Sequence, residues 1–136
     1  MKCPLAEKGC GGCRELTRMY GDILREKDAA FRALFPDALP ILGTDGSLAF
    51  VKDYAADPSL AGATGQVRAN TGTNIGATDA GLLLKGQAFG GYIRTKSGRD
   101  LNYVLVVNNA PVADIDAVAQ VFQDEGTISA ILWRDY

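Results

Sequence analysis

The chain has 136 residues, 47 % of them hydrophobic, and a formal net charge of −2. A chain of this length forms one domain, or one domain with a short appended module, and it has enough apolar residues to build a core. The charge excludes the basic field that nucleic-acid binding requires, so we expect no nucleic-acid partner, and no apolar run reaches the ~20 residues of a membrane span.

The sequence contains no histidine. This absence excludes a Ser-His-Asp triad, a Cys-His pair, histidine-bound zinc and an imidazole general base. The N-terminal stretch MKCPLAEKGCGGC has no apolar segment of the kind found in secretory signals. We therefore expect a cytoplasmic protein whose thiols stay reduced.

All three cysteines lie near the N-terminus, where Cys3, Cys10 and Cys13 form the pattern C-x6-C-G-G-C. Two cysteines separated by two residues can reach one metal, and the glycines at positions 11 and 12 permit the tight turn. An iron–sulfur cluster or a structural zinc usually takes four thiolates, one more than this chain has. Three interpretations stay open: free thiols, capture of an iron–sulfur cluster or zinc, or a disulfide.

Residues 14–35 predict a long amphipathic helix that ends before Pro36. Charged side chains lie on its other face. Its apolar positions follow the i, i+3, i+4, i+7 rule: Leu16, Met19, Tyr20, Ile23, Leu24, Phe31, Leu34 and Phe35.

After a loop and a short helix, three segments predict strands, at residues 66–73, 87–95 and 101–108. The short turn at 97–100 predicts that the last two form an antiparallel hairpin. A helix should follow, starting near Pro111 with Asp114 or Asp116 in its first turn. Gly126 is expected to break this helix, and the acidic pair Asp124-Glu125 before it predicts a solvated helix end.

These elements predict an α+β fold, in which a small antiparallel sheet of about three strands packs with a long N-terminal helix and a C-terminal helix. Near residue 39 the sequence changes to glycine- and threonine-rich turns between apolar runs, and this change predicts two parts. Residues 1–38 hold the cysteines and the amphipathic helix, and residues 39–136 form the α+β domain.

The N-terminal part resembles the iron–sulfur region of RNA uracil-5-methyltransferases over about residues 2–43. The resemblance rests on KCPLAEKGCGGC, on the helix pattern Y-x3-L-x2-K and on the sequence PILG. It implies a cluster held by Cys3, Cys10 and Cys13. The family spacing is C-x5-C-G-G-C with a fourth, distant cysteine, which this chain lacks. Nothing of the family's methyl-donor site or catalytic cysteine is present, so methyltransferase activity is not implied.

The C-terminal part, residues 39–136, resembles the K-T-G strand region of penicillin-binding serine-type D-Ala-D-Ala carboxypeptidases. The segments that carry the resemblance are D-G-S-L-A, V-R-A-N-T-G-T, the G-Y-I hairpin and V-N-N before the last helix. It implies a partial beta-lactamase/transpeptidase-like fold in a peptidoglycan-processing family, whose members are exported.

In that family, S-x-x-K supplies the nucleophile and S-x-N a proton relay, while K-T-G lies on a strand beside the site. By resemblance, Asn70, Thr71 and Gly72 occupy the K-T-G positions, and Thr73 follows them. Asn70 replaces the lysine, which removes the charge that would attract a substrate carboxylate. No serine has a lysine three residues later or an asparagine two residues later; the serines are Ser47, Ser59, Ser97 and Ser129.

The sequence therefore predicts no catalytic residues and no acyl-enzyme, with residual substrate binding at Asn70, Thr71, Gly72 and Thr73. Three functions remain as hypotheses. The chain is an inactive relative of the carboxypeptidases, a metal or iron–sulfur module, or a recombined or engineered fusion without activity. Because a sheet that lacks covering helices exposes apolar surface, we also expect either that the N-terminal helix covers it or that a homodimer does.

Overall fold

The computed structural model describes residues 20–79 and 81–136, which fall into two compact units divided between Phe35 and Pro36. In the first unit, helix α1 spans Tyr20–Leu34 and ends just before Pro36, as the sequence predicts. Phe31 stacks on Phe35 with ring centroids 4.5 Å apart. The predicted first turns of the helix, from residue 14, and all three cysteines lie outside the described residues.

The second unit contains a three-stranded antiparallel sheet in the order β1-β2-β3. The strands are β1 (Val67–Thr78), β2 (Gly81–Arg94) and β3 (Asp100–Val112). Helix α2 (Ile115–Asp135) follows and packs on one face of the sheet. The predicted α+β fold with three antiparallel strands and two helices is confirmed, and so is the hairpin of the last two strands. The predicted short helix is replaced by 3-10 turns, at Pro36–Ala38, Gly46–Leu48, Asp53–Ala56 and Ala61–Ala63.

All three strands extend beyond their predicted ends. The first two lengthen towards each other, because residues 75–78 pair with residues 81–84 after a register shift between Asn74 and Ile75. The prediction that Pro111 starts a helix is wrong, since Pro111 pairs with Leu83 inside β3. Because β3 is an edge strand, it tolerates a proline that cannot donate a ladder hydrogen bond.

Helix α2 begins with a side-chain cap and continues without a break. Asp114 accepts a hydrogen bond from the Ala117 amide at 2.9 Å, and Asp116 lies in the first turn, where the helix dipole favours an acid. The predicted break at Gly126 is wrong. A Cβ on Gly126 would lie 2.2 Å from Val51 Cγ1, so the glycine allows the helix to pack closely rather than ending it.

The core lies between the sheet, α2 and the 3-10 turns. Side chains alternate between the two faces of a strand, so Val67 and Ala69 face α2 together with their partners on β2. Trp133 closes one end of this core against Gly62. The largest fully buried apolar side chains are Tyr54, Phe89, Leu42, Leu48, Leu84, Ile93, Val51 and Val67.

The face of the sheet away from α2 is partly apolar and exposed. Val104 is 70 % exposed and Val106 is 54 % exposed. That a second copy of the chain covers this face stays a prediction, which a native mass measurement tests. No helix within residues 20–79 and 81–136 is long and apolar enough to cross a membrane.

Candidate functional site

Strand β1 forms one edge of the sheet, and the preceding segment covers only its first residues. Leu42 donates its backbone N–H to the Val67 carbonyl, and Ala69 donates to the Pro40 carbonyl, both at 3.0 Å. In the described part of the chain, the pairing with this segment is a single isolated bridge at Arg68. Beyond Ala69, no other described segment pairs with this edge, which we call the open edge.

The four residues that the resemblance singles out, Asn70, Thr71, Gly72 and Thr73, lie together at the start of this open edge. Backbone groups of an antiparallel strand point alternately to its two sides. Because Val67 and Ala69 bond outward, the N–H and C=O groups of Thr71 and Thr73 also point to the open edge. An edge of this kind offers a ready template for an extended peptide.

The side chains of the same four residues divide between the two faces of the sheet. Thr71 and Thr73 share the face of Ala69, towards α2, whereas Asn70 and Gly72 lie on the opposite face. Asn70 is exposed and brings no charge. A Cβ added to Gly72 would meet no described atom within 4 Å, so packing inside the protein does not require this glycine.

Ser47 joins this edge through Thr71, whose Oγ1 donates to Ser47 Oγ at 2.9 Å. Ser47 belongs to the 3-10 turn Gly46–Leu48, which the left-handed backbone of Gly46 (φ +55°) allows. Asp45 Oδ1 accepts the Ile41 amide at 2.7 Å and holds the turn beside the bridged segment. The sequence predicts only a turn at Asp45-Gly46, so this contact is a new feature of the site.

The other three serines have structural partners. Ser97 donates to the carbonyl of Tyr136, and Ser129 Oγ forms a hydrogen bond of 3.1 Å with the hydroxyl of Tyr103. Ser59 lies between Asp57 and Arg134. Hydrogen bonds from Ser59, with a smaller effect of Arg134, lower the pKa of Asp57, so this carboxylate is a weaker base than usual. A guanidinium cannot accept the proton either.

A chain of polar side chains leads from the open edge into the core. Thr73 Oγ1 donates to Gln87 Oε1 at 2.5 Å. Gln87 is fully buried, and Glu125 of α2 is 1 % exposed. The Gln87 Nε2 and both carboxyl oxygens of Glu125 lack a hydrogen bond of normal geometry. Buried polar atoms of this kind need an explanation, because each one costs free energy.

Burial raises the pKa of Glu125 to about 7, and the nearby Gln87 amide offsets part of this effect. A carboxyl buried without a cationic partner takes up its proton more readily, because the neutral form needs less solvation. The prediction of a solvated helix end at Asp124-Glu125 is therefore wrong for Glu125, although Asp124 is exposed. The sequence did hold a signal, since Glu125 follows Phe122 by three residues and Val121 by four, along the apolar stripe of α2.

Tyr103 completes the buried polar group on the side of β3. Burial raises the pKa of Tyr103 to about 12, the hydrogen bond with Ser129 offsets part of this, and the charge of Glu125 adds to it. The phenol is therefore neutral at physiological pH. Ser129 also donates to the Glu125 carbonyl at 2.8 Å.

A separate cavity of about 480 Å³ lies on the face of the sheet opposite α2, beside Arg68, Tyr92 and Arg94. Both arginines already have acidic partners. Arg94 Nη1 lies 2.7 Å from both carboxylate oxygens of Asp100, and Arg68 lies 3.6 Å from Asp37. The cavity thus offers no uncompensated positive charge, and it does not include Asn70 to Thr73.

The predicted metal ligands Cys3, Cys10 and Cys13 lie outside the described residues. Within the part of the chain that the structure describes, no three cysteine or acidic side chains come together in a way that could hold a metal ion. Comparison with protein-family models, curated proteins and solved structures finds no match to this chain.

Proposed function

We propose that residues 39–136 are a catalytically inactive relative of the C-terminal region of serine-type D-Ala-D-Ala carboxypeptidases, with a partial beta-lactamase-like fold. Its retained function is to bind an extended peptide along the open edge of β1. The observation that carries the proposal is the outward direction of the backbone groups of Thr71 and Thr73 beyond the last bridge at Arg68.

Strand addition explains why this edge suits a peptide. A peptide that pairs with β1 would bond the N–H and C=O groups of Thr71 and Thr73, which supply affinity without depending on sequence. Gly72 leaves the neighbouring surface free for the peptide's own side chains. The resemblance adds the chemical class: the family's K-T-G strand lies beside a peptide that ends in a carboxylate.

Two features support binding without reaction. The chain contains neither S-x-x-K nor S-x-N. Ser47, which approaches the edge, has the hydroxyl of Thr71 as its partner rather than a base. A serine hydroxyl is a weak nucleophile unless an adjacent base takes its proton.

Amide NMR of the ¹⁵N-labelled protein, titrated with N,N′-diacetyl-Lys-D-Ala-D-Ala, tests the proposal. We expect weak binding, with the largest shifts at Thr71 and Thr73 and small shifts in β3. The variant Asn70→Lys restores the family's cation, and we expect it to tighten binding several-fold. Asn102→Lys is the matched control, because it makes the same substitution at an exposed position of β3.

Equal tightening by both lysine variants would indicate a general charge effect and count against a site at Asn70. Shifts confined to residues away from β1 would overturn the proposal. Benzylpenicillin should leave the intact mass unchanged, and a covalent adduct would overturn the inactive assignment. Iron or zinc binding through Cys3, Cys10 and Cys13 stays a separate prediction, tested by metal content after anaerobic reconstitution.

A further inference from the structure

The polar chain beneath β1 connects the proposed peptide edge to a buried acid. Thr73 contributes both a backbone group at the edge and a hydroxyl that donates to Gln87 Oε1. The other end of the Gln87 amide, Nε2, has no hydrogen bond, and neither does the Glu125 carboxyl. Thr73, Gln87 and Glu125 therefore form a polar path from the open edge to α2.

We propose that Glu125 and Gln87 are positioning residues that decide whether the Thr73 hydroxyl accepts or donates a hydrogen bond at the open edge, so that protonation of Glu125 favours a peptide carboxylate. This inference deepens the proposed peptide binding and rests on it.

The Gln87 amide in the structure is oriented with Oε1 towards Thr73, which is the orientation that an ionised Glu125 favours. A carboxylate only accepts hydrogen bonds, so it favours the Gln87 orientation in which Nε2 faces Glu125. Oε1 of Gln87 then faces Thr73, and the Thr73 hydroxyl donates its proton to this hydrogen bond. Towards the edge, the hydroxyl has only lone pairs to offer, which repel a peptide carboxylate.

Protonation of Glu125 reverses the direction of hydrogen bonding along Thr73, Gln87 and Glu125. A proton taken from solvent makes Glu125 a donor, which favours Oε1 of Gln87 as its acceptor. The amide turns over, Nε2 donates to Thr73 Oγ1, and the Thr73 hydroxyl keeps its proton for the edge. Each state allows two hydrogen bonds along Thr73, Gln87 and Glu125, so protonation of Glu125 selects between the two arrangements.

Few charged groups surround Glu125. Tyr103 on β3 faces it and stays neutral at physiological pH. On α2 itself, Asp116 and Asp124 are exposed, and Asp124 accepts from Gln120. Asp53 of the neighbouring 3-10 turn is also exposed. On β2 and β1, Lys85 is exposed and Arg68 lies on the opposite face of the sheet.

The test measures the Kd of N,N′-diacetyl-Lys-D-Ala-D-Ala between pH 6 and 8. If only the protonated form binds, the apparent Kd scales with the fraction of that form, so a pKa of about 7 gives about tenfold weaker binding at pH 8. The same peptide ending in a carboxamide should show little pH dependence. Glu125→Gln should abolish the dependence, and Asp124→Asn, at the neighbouring exposed acid, should keep it.

Gln87→Met provides a second variant, because it removes the relay while filling similar volume. It should bind the carboxylate peptide equally at pH 6 and 8, close to the affinity of the wild type at pH 6. A role of Glu125 in folding alone would not produce this pattern. A wild-type Kd that stays constant from pH 6 to 8 would overturn the relay and leave peptide binding intact.

A measurement on the free protein separates the two proposals. In the wild type, the amide signal of Thr73 should titrate together with the Glu125 carboxyl carbon, and in Glu125→Gln it should stay constant. If no peptide binds at any pH but this coupled titration occurs, the proposed function and the effect on a peptide carboxylate are both overturned, and only the coupling between Glu125 and Thr73 is confirmed. Absence of the coupled titration overturns the relay whether or not a peptide binds.

Discussion

The face of the sheet that packs on α2 has two halves that differ in chemistry. Near the start of β1, Val67, Ala69 and Phe89 pack against one another with no polar atom to satisfy. Further along the same strands, Thr73 and Gln87 occupy equivalent positions, and Glu125 of α2 is buried beside Gln87. Apolar contacts stabilise the fold without needing a defined direction, whereas buried polar groups cost free energy unless each is bonded. The difference indicates that the first half holds the protein together and the second half serves the edge.

The largest effect should follow from breaking the apolar half. Phe89 is fully buried and meets Phe122 edge to face, with ring centroids 5.8 Å apart. We expect Phe89→Ala to lower the free energy of unfolding by about 3–5 kcal/mol, because it removes a large side chain and leaves a cavity. Urea denaturation measures the change.

Val104→Ala is the control for this prediction, since Val104 is 70 % exposed on the other face of the sheet. We expect it to change the free energy of unfolding by less than about 0.5 kcal/mol. Comparable losses for the two variants would mean that the face of Val104 is buried in solution, as in the predicted homodimer.

The polar half should make stability depend on pH. The pKa of Glu125 is raised from 4.5 to about 7 in the folded chain, so the folded state binds this proton more tightly than the unfolded state. Its stabilising contribution is complete below pH 4.5 and is lost as pH rises through 7. We expect the free energy of unfolding to fall by about 2–3 kcal/mol between pH 5 and pH 8.

Urea denaturation at the two pH values checks this, and the chain has no histidine to titrate in the same window. Glu125→Gln should make the free energy of unfolding nearly constant, whereas Asp124→Asn should retain the fall. A wild-type protein equally stable at pH 5 and pH 8 would show that Glu125 does not titrate between them.

The smallest effect on stability should come from Gly72 at the open edge, and Gly91 of the central strand β2 provides the comparison. A Cβ on Gly91 would lie 1.9 Å from the Arg68 carbonyl oxygen, so we expect Gly91→Ala to cost about 1–3 kcal/mol. A Cβ on Gly72 would meet no described atom within 4 Å, so Gly72→Ala should change stability by less than about 0.5 kcal/mol.

Gly72→Ala should nevertheless weaken peptide binding, because the added methyl group occupies the surface beside the open edge. Thermal unfolding of Gly72→Ala and Gly91→Ala checks the effects on stability, and the peptide titration of Gly72→Ala checks the effect on binding. If Gly72→Ala destabilised the protein as much as Gly91→Ala, an unseen neighbour would have to cover Gly72.

The sequence predicted the elements whose signals are local. The predicted turn at 97–100 lies within one or two residues of the observed one, which Thr95 closes by hydrogen bonds with Gly98 and Arg99, and Pro36 follows the end of α1. Predictions failed where a neighbour overrides the local preference. Pro111 remains in an edge strand. Gly126 remains inside a helix, because a side chain there would collide with Val51.

The candidate site was likewise predictable only where the signal is local. The resemblance selected Asn70 to Thr73, and these residues do share one edge. The role of Gln87 and Glu125 depends on contacts between strands and helix, which no short motif encodes. Ser47 likewise meets Thr71 across 24 residues of sequence, so its position could not be read from the D-G-S segment alone.

The register shift after Asn74, where Lys85 of β2 has no partner on β1, divides the open edge into two stretches. Regular pairing of β1 with β2 runs without interruption up to Asn74 and then shifts register, and bulges increase the local twist of a strand. Between the bridge at Arg68 and this shift, residues 70–74 offer about 16 Å of regular edge at ~3.3 Å per residue. A tail of about five residues would thus pair along the whole of this first stretch, and a longer one would have to follow the edge past the register shift.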